Sequence, residues 1–249
     1  MEGRQKDASK KRVENKRRII GGWVAAGPER LARLFNCWMR DGWSSRKQVL
    51  LGPDGGLQLK STVTMMLPAL KEWDVVCEAL GSGRQVIVIR KGGIAEGKDG
   101  LRFEHGEFVL LPTFFHQQAE RVVPEAAFSA RQSGAERDEE PVEIRHAATL
   151  VWHKVVTDRA ALARLQTFHI LSAEEVETRF NQKPEPGVQV ALLRVYRLDP
   201  PQRVPWQKSF GGCRSWAEME ADLESCSRVS VLSDERFAEL ERELREIRG

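Results

Sequence analysis

The alternation of apolar and polar positions is clearest from residue 67 onward, where it predicts a series of short elements. The segment LPALKEWDVVCEALGSG (67–83) predicts a helix, or a helix that leads into a strand. The four apolar residues of VIVI in RQVIVIRKGG (84–93) predict a buried strand. A glycine-rich connection follows, and LRFEHGEFVLLPTFFHQ (101–117) alternates as a second and third strand would. Strand, glycine loop and strand favour antiparallel pairing.

The second half of the chain predicts further strands and helices. HAATLVWHKVV (146–156) is typical of a strand, and two helices follow, with Asp158 as the first cap and Ser172 as the second, three residues before Glu175. VQVALLRVYRLDPPQRVP (188–205) predicts a long strand that Pro200 and Pro201 end. GGCRSWAEMEADL (211–223) predicts a helix from near Ser215. The last segment predicts an amphipathic helix with one apolar face, formed by Phe237, Leu240, Leu244 and Ile247.

These elements do not alternate regularly, so they predict an α+β protein with a small mixed or antiparallel sheet and flanking helices. A barrel of the type that binds RNA or modified bases is one candidate, by analogy of fold. We expect a core α+β domain at residues 67–217 and a C-terminal helical segment at 218–249. Residues 1–64 form a basic arm and a short helical appendage (GPERLARLFNCWMRDG), or else an upstream extension.

Composition narrows the class of protein. With 41% hydrophobic and 30% charged residues the chain is an ordinary globular sequence. No apolar run approaches the length of a membrane span and no apolar stretch follows the basic N-terminus, so we expect a cytoplasmic protein. The four cysteines, Cys37, Cys77, Cys213 and Cys226, form no C-x-x-C pair, which predicts reduced thiols and no metal site.

Charge is distributed unevenly, and this points to a partner. Residues 1–60 contain 14 Lys/Arg and 6 Asp/Glu, and eight of these basic residues lie between Arg4 and Arg18. Such an arm attracts polyanions by counterion release, which makes nucleic acid a natural partner. The alternative is a solvated tail with no dedicated partner. The rest of the chain is net acidic, so specific binding would need a local basic patch.

Two motifs in the glycine-rich loop resemble sites of phosphate or metal chemistry. The spacing of Gly92, Gly97 and Lys98 matches the opening of a phosphate-binding P-loop, but Asp99 replaces the hydroxyl residue and a strand follows. Glu96 and Lys98 form an E-x-K triplet, which together with Asp74 is the residue set of a magnesium-dependent nuclease. A solvent-facing turn is the competing interpretation.

Other candidate residues lie where predicted strands end. Arg90, Lys91, Glu104, His116 and Gln117 would converge on one cleft, where the cations hold a phosphate or carboxylate and His116 acts as acid, base or ligand. Alternatively, these residues solvate strand ends. In FGGCRSW the glycines permit close approach of a ligand and Trp216 offers a stacking surface. The competing interpretation is a tight turn with Ser215 as a helix cap and Trp216 in the core.

The segments ALKEW, RKGGI, LLPTFFHQ and GCRSW, in this order, resemble the bacterial family known as domain of unknown function 1802. The resemblance covers about residues 67–217. The family has no established activity, and the association of some members with restriction-endonuclease domains implies a role near DNA restriction or defence. The resemblance draws attention to these same motif residues, including Glu96, Pro112 and Gly212, without assigning roles.

From these observations we expect a protein that binds nucleic acid or a nucleotide-like ligand in a cleft. The expected ligand contacts are Arg90, Lys91, Gly92, Gly93, Thr113, His116, Gln117, Cys213, Ser215 and Trp216. One alternative is an enzyme, either a nuclease that uses Glu96, Lys98 and Mg²⁺ or a hydrolase that uses His116. No other cofactor is predicted. The second alternative is an assembly protein that forms a homo-oligomer through its C-terminal helix.

Overall fold

The computed structural model describes residues 43–51, 57–91, 102–114, 118–127, 141–182, 185–223 and 225–248. These residues form one sheet of eight strands with five α-helices around it. The strands are β1 (Trp43–Leu51), β2 (Leu57–Trp73), β3 (Ile87–Arg90), β4 (Glu107–Thr113), β5 (Val142–Val156), β6 (Val188–Val204), β7 (Trp216–Ala221) and β8 (Ser227–Ser230). The helices are α1 (Asp74–Gly81), α2 (Pro124–Ala127), α3 (Arg159–Arg164), α4 (Ala173–Asn181) and α5 (Asp234–Arg248), with 3-10 turns at Gln118–Arg121, Gln166–Phe168 and Lys208–Phe210.

The sheet is mixed, which confirms the predicted α+β class. Its central order is β1-β2-β4-β5-β6-β3, with β7 added beside β2 and β8 beside β6. The β2–β4 pair is parallel, whereas the other strand pairs among the described residues are antiparallel. Residues 69 and 70 of β2 pair with β7 on one side and with β4 on the other. Successive side chains point to opposite faces of a sheet, and Ala69 and Leu70 are both fully buried, so both faces of the sheet are covered at this point.

The sheet curls until its two ends meet. In a flat sheet β3 would lie four strand spacings from β2, or about 19 Å away. However, the Arg90 guanidinium at the end of β3 donates a 3.1 Å hydrogen bond to the carbonyl of Lys71 in β2. An arginine side chain can close such a gap only if the sheet is strongly curved. Within the described chain this closure is made by side chains, not by a backbone ladder.

The apolar core lies between the curved sheet and its helices. It includes α1, β3 and the start of β6, and Leu240 and Leu244 of α5 pack into the same cluster. The apolar face of the C-terminal helix therefore docks on its own domain, so an oligomer formed through this helix would have to use its charged outer face. No helix among the described residues is long and apolar enough to cross a membrane.

Several local predictions are confirmed by the contacts they require. Asp158 accepts hydrogen bonds from the N–H groups of Ala160 and Ala161 at the start of α3. The Ser172 hydroxyl accepts one from the N–H of Glu175 at the start of α4. The strand predicted from the VIVI run is β3, and the strand predicted at 146–156 lies within β5.

Other predictions are wrong, and each error has a physical cause. Residues 67–73 are the end of β2 and the helix begins only at Asp74. Both faces of this part of β2 are covered, which removes the apolar–polar alternation that would have indicated a strand. β3 pairs with β6 and not with the strand after the glycine loop, so the predicted antiparallel pair does not form. Among the described residues of 101–117 there is one strand, β4.

The observed sheet extends across the boundaries that the sequence predicts between its units. β1 and the first half of β2 pair over Trp43–Met65, so the sheet extends into the segment interpreted as an appendage. The helix predicted at 27–42 lies outside the described residues. In the C-terminal segment, β7 occupies the place of the helix predicted from Ser215, and β8 follows it. Buried and exposed positions of β7 alternate with period 2, which is the signal of a strand.

Pro200 and Pro201 do not end β6, because they lie in a β-bulge. Ile144 pairs with Gln202 and His146 with Arg197, so four residues of β6, 198–201, face Arg145 alone. A bulge has no ladder hydrogen bond for a proline to lose, so the strand continues to Val204. This interruption also opens a cavity beside β5.

Candidate functional site

The closure of the sheet is a buried polar cluster, which we call the seam and which consists of Lys71, Glu72, Arg90 and Ser215. One nitrogen of the Arg90 guanidinium, Nη1, donates to the carboxylate of Glu72 at 3.1 Å and to the Lys71 carbonyl. The other, Nη2, donates to the Ser215 hydroxyl at 2.8 Å. The Glu72 side chain is only 2% exposed. A buried carboxylate needs such a counter-charge, so this pair ties β3 to β2 and to the start of β7.

Lys71 joins the seam to an exposed turn at Gly211–Arg214. Its side-chain ammonium donates to the carbonyl oxygens of Gly211 and Gly212, at 2.7 and 2.9 Å. Its backbone N–H donates to the Ser215 carbonyl at 2.8 Å. Lys71 is almost fully buried, whereas all four residues of the turn are exposed. One buried cation therefore fixes the orientation of two consecutive peptide units at the surface.

This anchoring determines which atoms the turn presents to solvent. In a trans peptide the carbonyl oxygen and the following N–H point in opposite directions. With both carbonyls directed at Lys71, the N–H groups of Gly212 and Cys213 point outward, and neither has a partner among the described residues. Gly212 has a φ of +73° and open space around it, as close approach of a ligand requires. Consecutive outward N–H groups form an anion-binding surface.

A second buried ion-pair network supports the seam from the side of α4. The Arg179 guanidinium donates to the carbonyl of Ile89, next to Arg90, and to the carboxylate of Glu175 at 2.7 Å. It also lies 4.6 Å from the ring centre of Trp73, next to Glu72. Both residues that flank the seam pair are thus held in place by one arginine.

The predicted ligand residues are only partly brought together. Arg90 and Ser215 are in direct contact. Thr113 is close to them, since its hydroxyl donates to the Glu72 carbonyl at 3.0 Å. Lys91 points elsewhere: its ammonium donates to the carbonyls of Glu185 and Gly187, before β6. Successive side chains of a strand leave on opposite faces, so Arg90 and Lys91 cannot hold the same ligand group.

The two remaining described candidates have different surroundings. Cys213 is exposed in the anchored turn. Trp216 packs edge to face against His105 and Phe108, with ring centres 4.9 and 5.0 Å away, and its indole N–H donates to the Arg102 carbonyl. Its ring is used in packing, as the competing interpretation had it, although Ser215 precedes a strand and not a helix.

The other candidates lie outside the described residues. These are the ligand candidates Gly92, Gly93, His116 and Gln117, and the catalytic candidates Glu96, Lys98 and His116. Asp74, the third residue of the nuclease set, is buried at the start of α1, and Glu104 is exposed. The described residues contain no group of three His, Cys, Asp or Glu side chains that could hold a metal ion.

Electrostatic effects in this region follow burial. Burial raises the pKa of the Cys77 thiol well above its ordinary value, and the nearby carboxylates of Glu72 and Asp74 act in the same direction. Cys77 is therefore an uncharged packing residue. Burial also lowers the pKa of Lys91.

Sequence reasoning missed Lys71 and Glu72, which organise the seam. Their signal is a pair of adjacent opposite charges in the run MLPALKEWDVV, where Asp74 is the only other charged residue. Charges at fully buried positions are rare unless they are paired. In a helix these two residues would have been assigned to a solvated face, so the wrong secondary structure hid them.

This chain matches no curated protein. Two solved structures are similar: the crystal structure of ASCH from Zymomonas mobilis has 11% identity and a TM-score of 0.41, and covers 66% of this chain and 97% of its own. A serine-to-alanine mutant of that ASCH protein has 10% identity and the same TM-score, and covers 64% of this chain and 96% of its own.

The sequence profile of one family matches residues 69–243, which include the seam, the anchored turn and the first ten residues of α5. The match extends over most of the chain, well beyond the four motifs on which the resemblance was based. The protein belongs to the family described as "Domain of unknown function (DUF1802)".

Proposed function

We propose that this protein binds nucleic acid or a nucleotide-like ligand through phosphate groups at the anchored turn, Gly211–Arg214. The observation that carries the proposal is the outward orientation of the Gly212 and Cys213 N–H groups, imposed by the two hydrogen bonds from Lys71. Because the turn is already held in place, these N–H groups need no change of conformation to donate hydrogen bonds to a phosphate oxygen. A rigid pair of donors binds with little loss of conformational entropy.

Cationic side chains next to the turn add charge to these donors. Arg214 is exposed, and no hydrogen bond or ion pair engages it within the described part of the chain. Arg90 is 18% exposed and has five guanidinium N–H groups, of which three are used in the seam. Its other two N–H groups are available to a ligand that approaches along the turn. Arginine is well suited to phosphate because its planar donors match the oxygen geometry.

The seam holds the turn in position but adds little net positive charge to the phosphate site. The carboxylate of Glu72 neutralises Arg90, and Lys71 is buried behind the turn. Long-range attraction would therefore come from Arg214 and from the basic residues between Arg4 and Arg18. In this proposal the arm increases the rate of encounter, while the anchored turn decides where a phosphate rests.

The experiment is fluorescence polarisation with labelled double-stranded DNA and labelled single-stranded RNA, measured over a range of salt concentrations. The link to DNA restriction that the family resemblance implies makes the duplex the first probe. We expect Arg214→Gln to weaken binding several-fold and to reduce the salt slope by about one, the effect of losing one phosphate contact. Arg242→Gln, an exposed arginine on α5, is the matched control and should leave both values unchanged.

A second variant separates the turn from the arm. Replacing the eight Lys and Arg residues between Arg4 and Arg18 by Gln in the full-length chain should weaken binding strongly but leave the effect of Arg214→Gln in place. If binding vanished with the arm and Arg214→Gln had no effect in the native background, the attraction would be nonspecific and the proposal wrong. Binding of free nucleotides but of neither oligonucleotide would select the nucleotide-like ligand.

A further inference from the structure

The β-bulge between β5 and β6 encloses a cavity of about 360 Å³ that no part of the proposed phosphate site uses. It lies where residues 198–201 of β6 loop away from Arg145, next to the C-terminal end of α1. The residues that matter for its chemistry are Glu78, Gly81, Arg145, His146, Arg197 and Asp199. Bulges interrupt the hydrogen bonding of a sheet and frequently lie beside functional sites.

The side chain of His146 lines the inner wall of the cavity and has no hydrogen-bond partner among the described residues. His146 is only 7% exposed, and its imidazole makes no hydrogen bond to any described residue. The ring packs against the backbone of α1: a Cβ built at Gly81 would lie 2.0 Å from His146 Nε2. The glycine thus permits the ring to occupy this position. No nitrogen of His146 is among the fully buried, unpartnered side-chain atoms of the described chain, which include His169 Nε2 and Gln189 Oε1, so the imidazole reaches solvent through the cavity and can bind a ligand there.

The charged residues around the cavity fall into two groups. Arg145 is occupied, because its guanidinium donates to Glu78 at 2.6 Å and to Glu143 at 2.7 Å. Arg197 and Asp199 are exposed at the rim, and the side chain of neither has a hydrogen bond or ion pair within the described part of the chain. The cavity therefore offers an uncommitted cation, an uncommitted carboxylate and, further in, an imidazole.

We propose that this cavity binds a single nucleotide, with the edge of its base against His146, its ribose hydroxyls at Asp199 and its phosphate at Arg197. This inference rests on the proposed function and adds a second subsite to it. The volume is at the lower end of the range for small-molecule pockets, so it holds one nucleotide and not a strand. Because Nε2 lies against Gly81, the edge of the base would meet Nδ1, which donates or accepts according to the tautomer of the neutral imidazole.

The surroundings of His146 keep it neutral at physiological pH. Burial is the largest cause of its lowered pKa, and the cations Arg145 on the same strand and Arg197 on β6 act in the same direction. Glu78 of α1 opposes them. A protonated imidazole would lose its acceptor. Because the pKa of His146 lies below its ordinary value of 6.5, binding should be constant around neutrality and weaken only in acid, below pH 6.5.

The test is isothermal titration calorimetry of the full-length protein with AMP, CMP, GMP and UMP, and with inorganic phosphate for comparison. We expect saturable binding of at least one nucleotide, with a dissociation constant on the order of 1 mM or tighter, and weaker binding of phosphate alone. Arg197→Gln should weaken binding about tenfold, as expected for one charged hydrogen bond, and Arg242→Gln should not change it. No binding of any of the four nucleotides would overturn the inference.

Two substitutions test whether His146, at the inner wall of the cavity, contacts the base. His146→Phe keeps a ring but removes the donor and acceptor, and it should abolish discrimination among the bases. Gly81→Ala inserts a methyl group where the ring lies, so the imidazole must move into the cavity and block it. Thermal denaturation shows whether each variant folds. If neither is folded, Asp199→Asn at the exposed rim replaces them, and unchanged affinity in it and in Arg197→Gln would contradict the proposal.

The outcomes also separate this inference from the proposed function. Oligonucleotide binding that depends on Arg214, together with no binding of nucleotides, removes the cavity subsite and leaves the anchored turn. Nucleotide binding that depends on Arg197 but not on Arg214, without oligonucleotide binding, keeps the cavity and removes the turn. A nucleotide that competes with the labelled oligonucleotide indicates that the subsite receives a base from a strand, and independent binding indicates a free nucleotide.

Discussion

The seam and the bulge cavity are two polar regions of the same sheet with opposite properties. At the seam, the guanidinium of Arg90 and the carboxylate of Glu72 satisfy each other, and Lys71 is committed to two carbonyls. In the cavity, His146 is 7% exposed and has no hydrogen-bond partner among the described residues. The seam occurs where two sheet ends had to be joined, and the cavity where a strand pairing had to be interrupted.

This difference indicates how polar groups that stabilise the fold can be distinguished from polar groups that bind a ligand. A satisfied buried network holds chain segments together, and its loss is measured as a loss of stability. A polar group that lines a cavity and bonds to no part of the protein is available to a ligand, and its loss is measured as a change in binding. The anchored turn combines both kinds, because its carbonyls are satisfied from inside and its N–H groups face outward.

The largest expected effect comes from breaking the seam pair. Arg90→Met leaves the Glu72 carboxylate buried without its counter-charge, and we expect the free energy of unfolding to fall by about 4 kcal/mol. Urea denaturation measures this loss. Arg90→Met with Glu72→Met removes the orphaned charge as well and should recover much of the stability. If the double variant were no more stable than the single one, the pair would not be the reason for the loss.

Acidification should destabilise the protein through the buried histidine His169, beside the network of Arg179. Its Nδ1 accepts from the Leu171 N–H, and burial, reinforced by Arg179, lowers its pKa to about 4. Below pH 6.5 the unfolded chain binds a proton that the folded chain does not, so stability is full above pH 6.5 and declines as the pH falls toward 4. The expected loss is about 3 kcal/mol.

Urea unfolding at several pH values tests this expectation. His169→Asn keeps an acceptor for the Leu171 N–H but removes the titrating group, so its pH profile should be flatter than that of the native protein. His146 has a lowered pKa too and contributes in the same direction. An unchanged slope in His169→Asn would assign the acid sensitivity to other groups.

Removing the Lys71 ammonium, which anchors the turn, should lower both the stability of the protein and its affinity for oligonucleotides. Lys71→Met keeps the volume of the buried side chain but loses two charge-assisted hydrogen bonds to carbonyls that water can then reach, at a cost of about 2 kcal/mol. Because the N–H groups of the turn are no longer fixed, oligonucleotide affinity should fall together with stability. Affinity that stayed at the native level in the folded variant would show that the turn is not where phosphate binds.

The smallest expected effect is the loss of stability when one hydrogen bond is removed at a position outside both the seam and the cavity. Ser172→Ala removes the cap of α4 and should cost about 1 kcal/mol, as is usual for a side chain that caps one N–H group. Ser172→Asp, which also accepts at a helix start, should restore stability. Because Ser172 touches neither the seam nor the cavity, ligand affinity should be the same in both variants.

How far the sequence could predict these regions depended on the range of the interactions. The caps Asp158 and Ser172 were predictable, because each acts on N–H groups two or three residues away. Arg90 and Ser215 were singled out as candidates, but their direct contact joins residues 125 positions apart. The orientation of Lys91 away from Arg90, and the bulge that accommodates Pro200, depend on which strands become neighbours.

By itself, the sequence determined the α+β class, the basic composition of residues 1–60, the family motifs and the helix starts at Asp158 and Ser172, since these follow from composition and from contacts along a few residues. The tertiary structure alone decided that Lys71 and Glu72 belong to a buried strand, that the sheet curls until Arg90 bridges its ends, and that His146 faces a cavity. Burial and long-range pairing are collective properties of the packed chain, and no local pattern contains them.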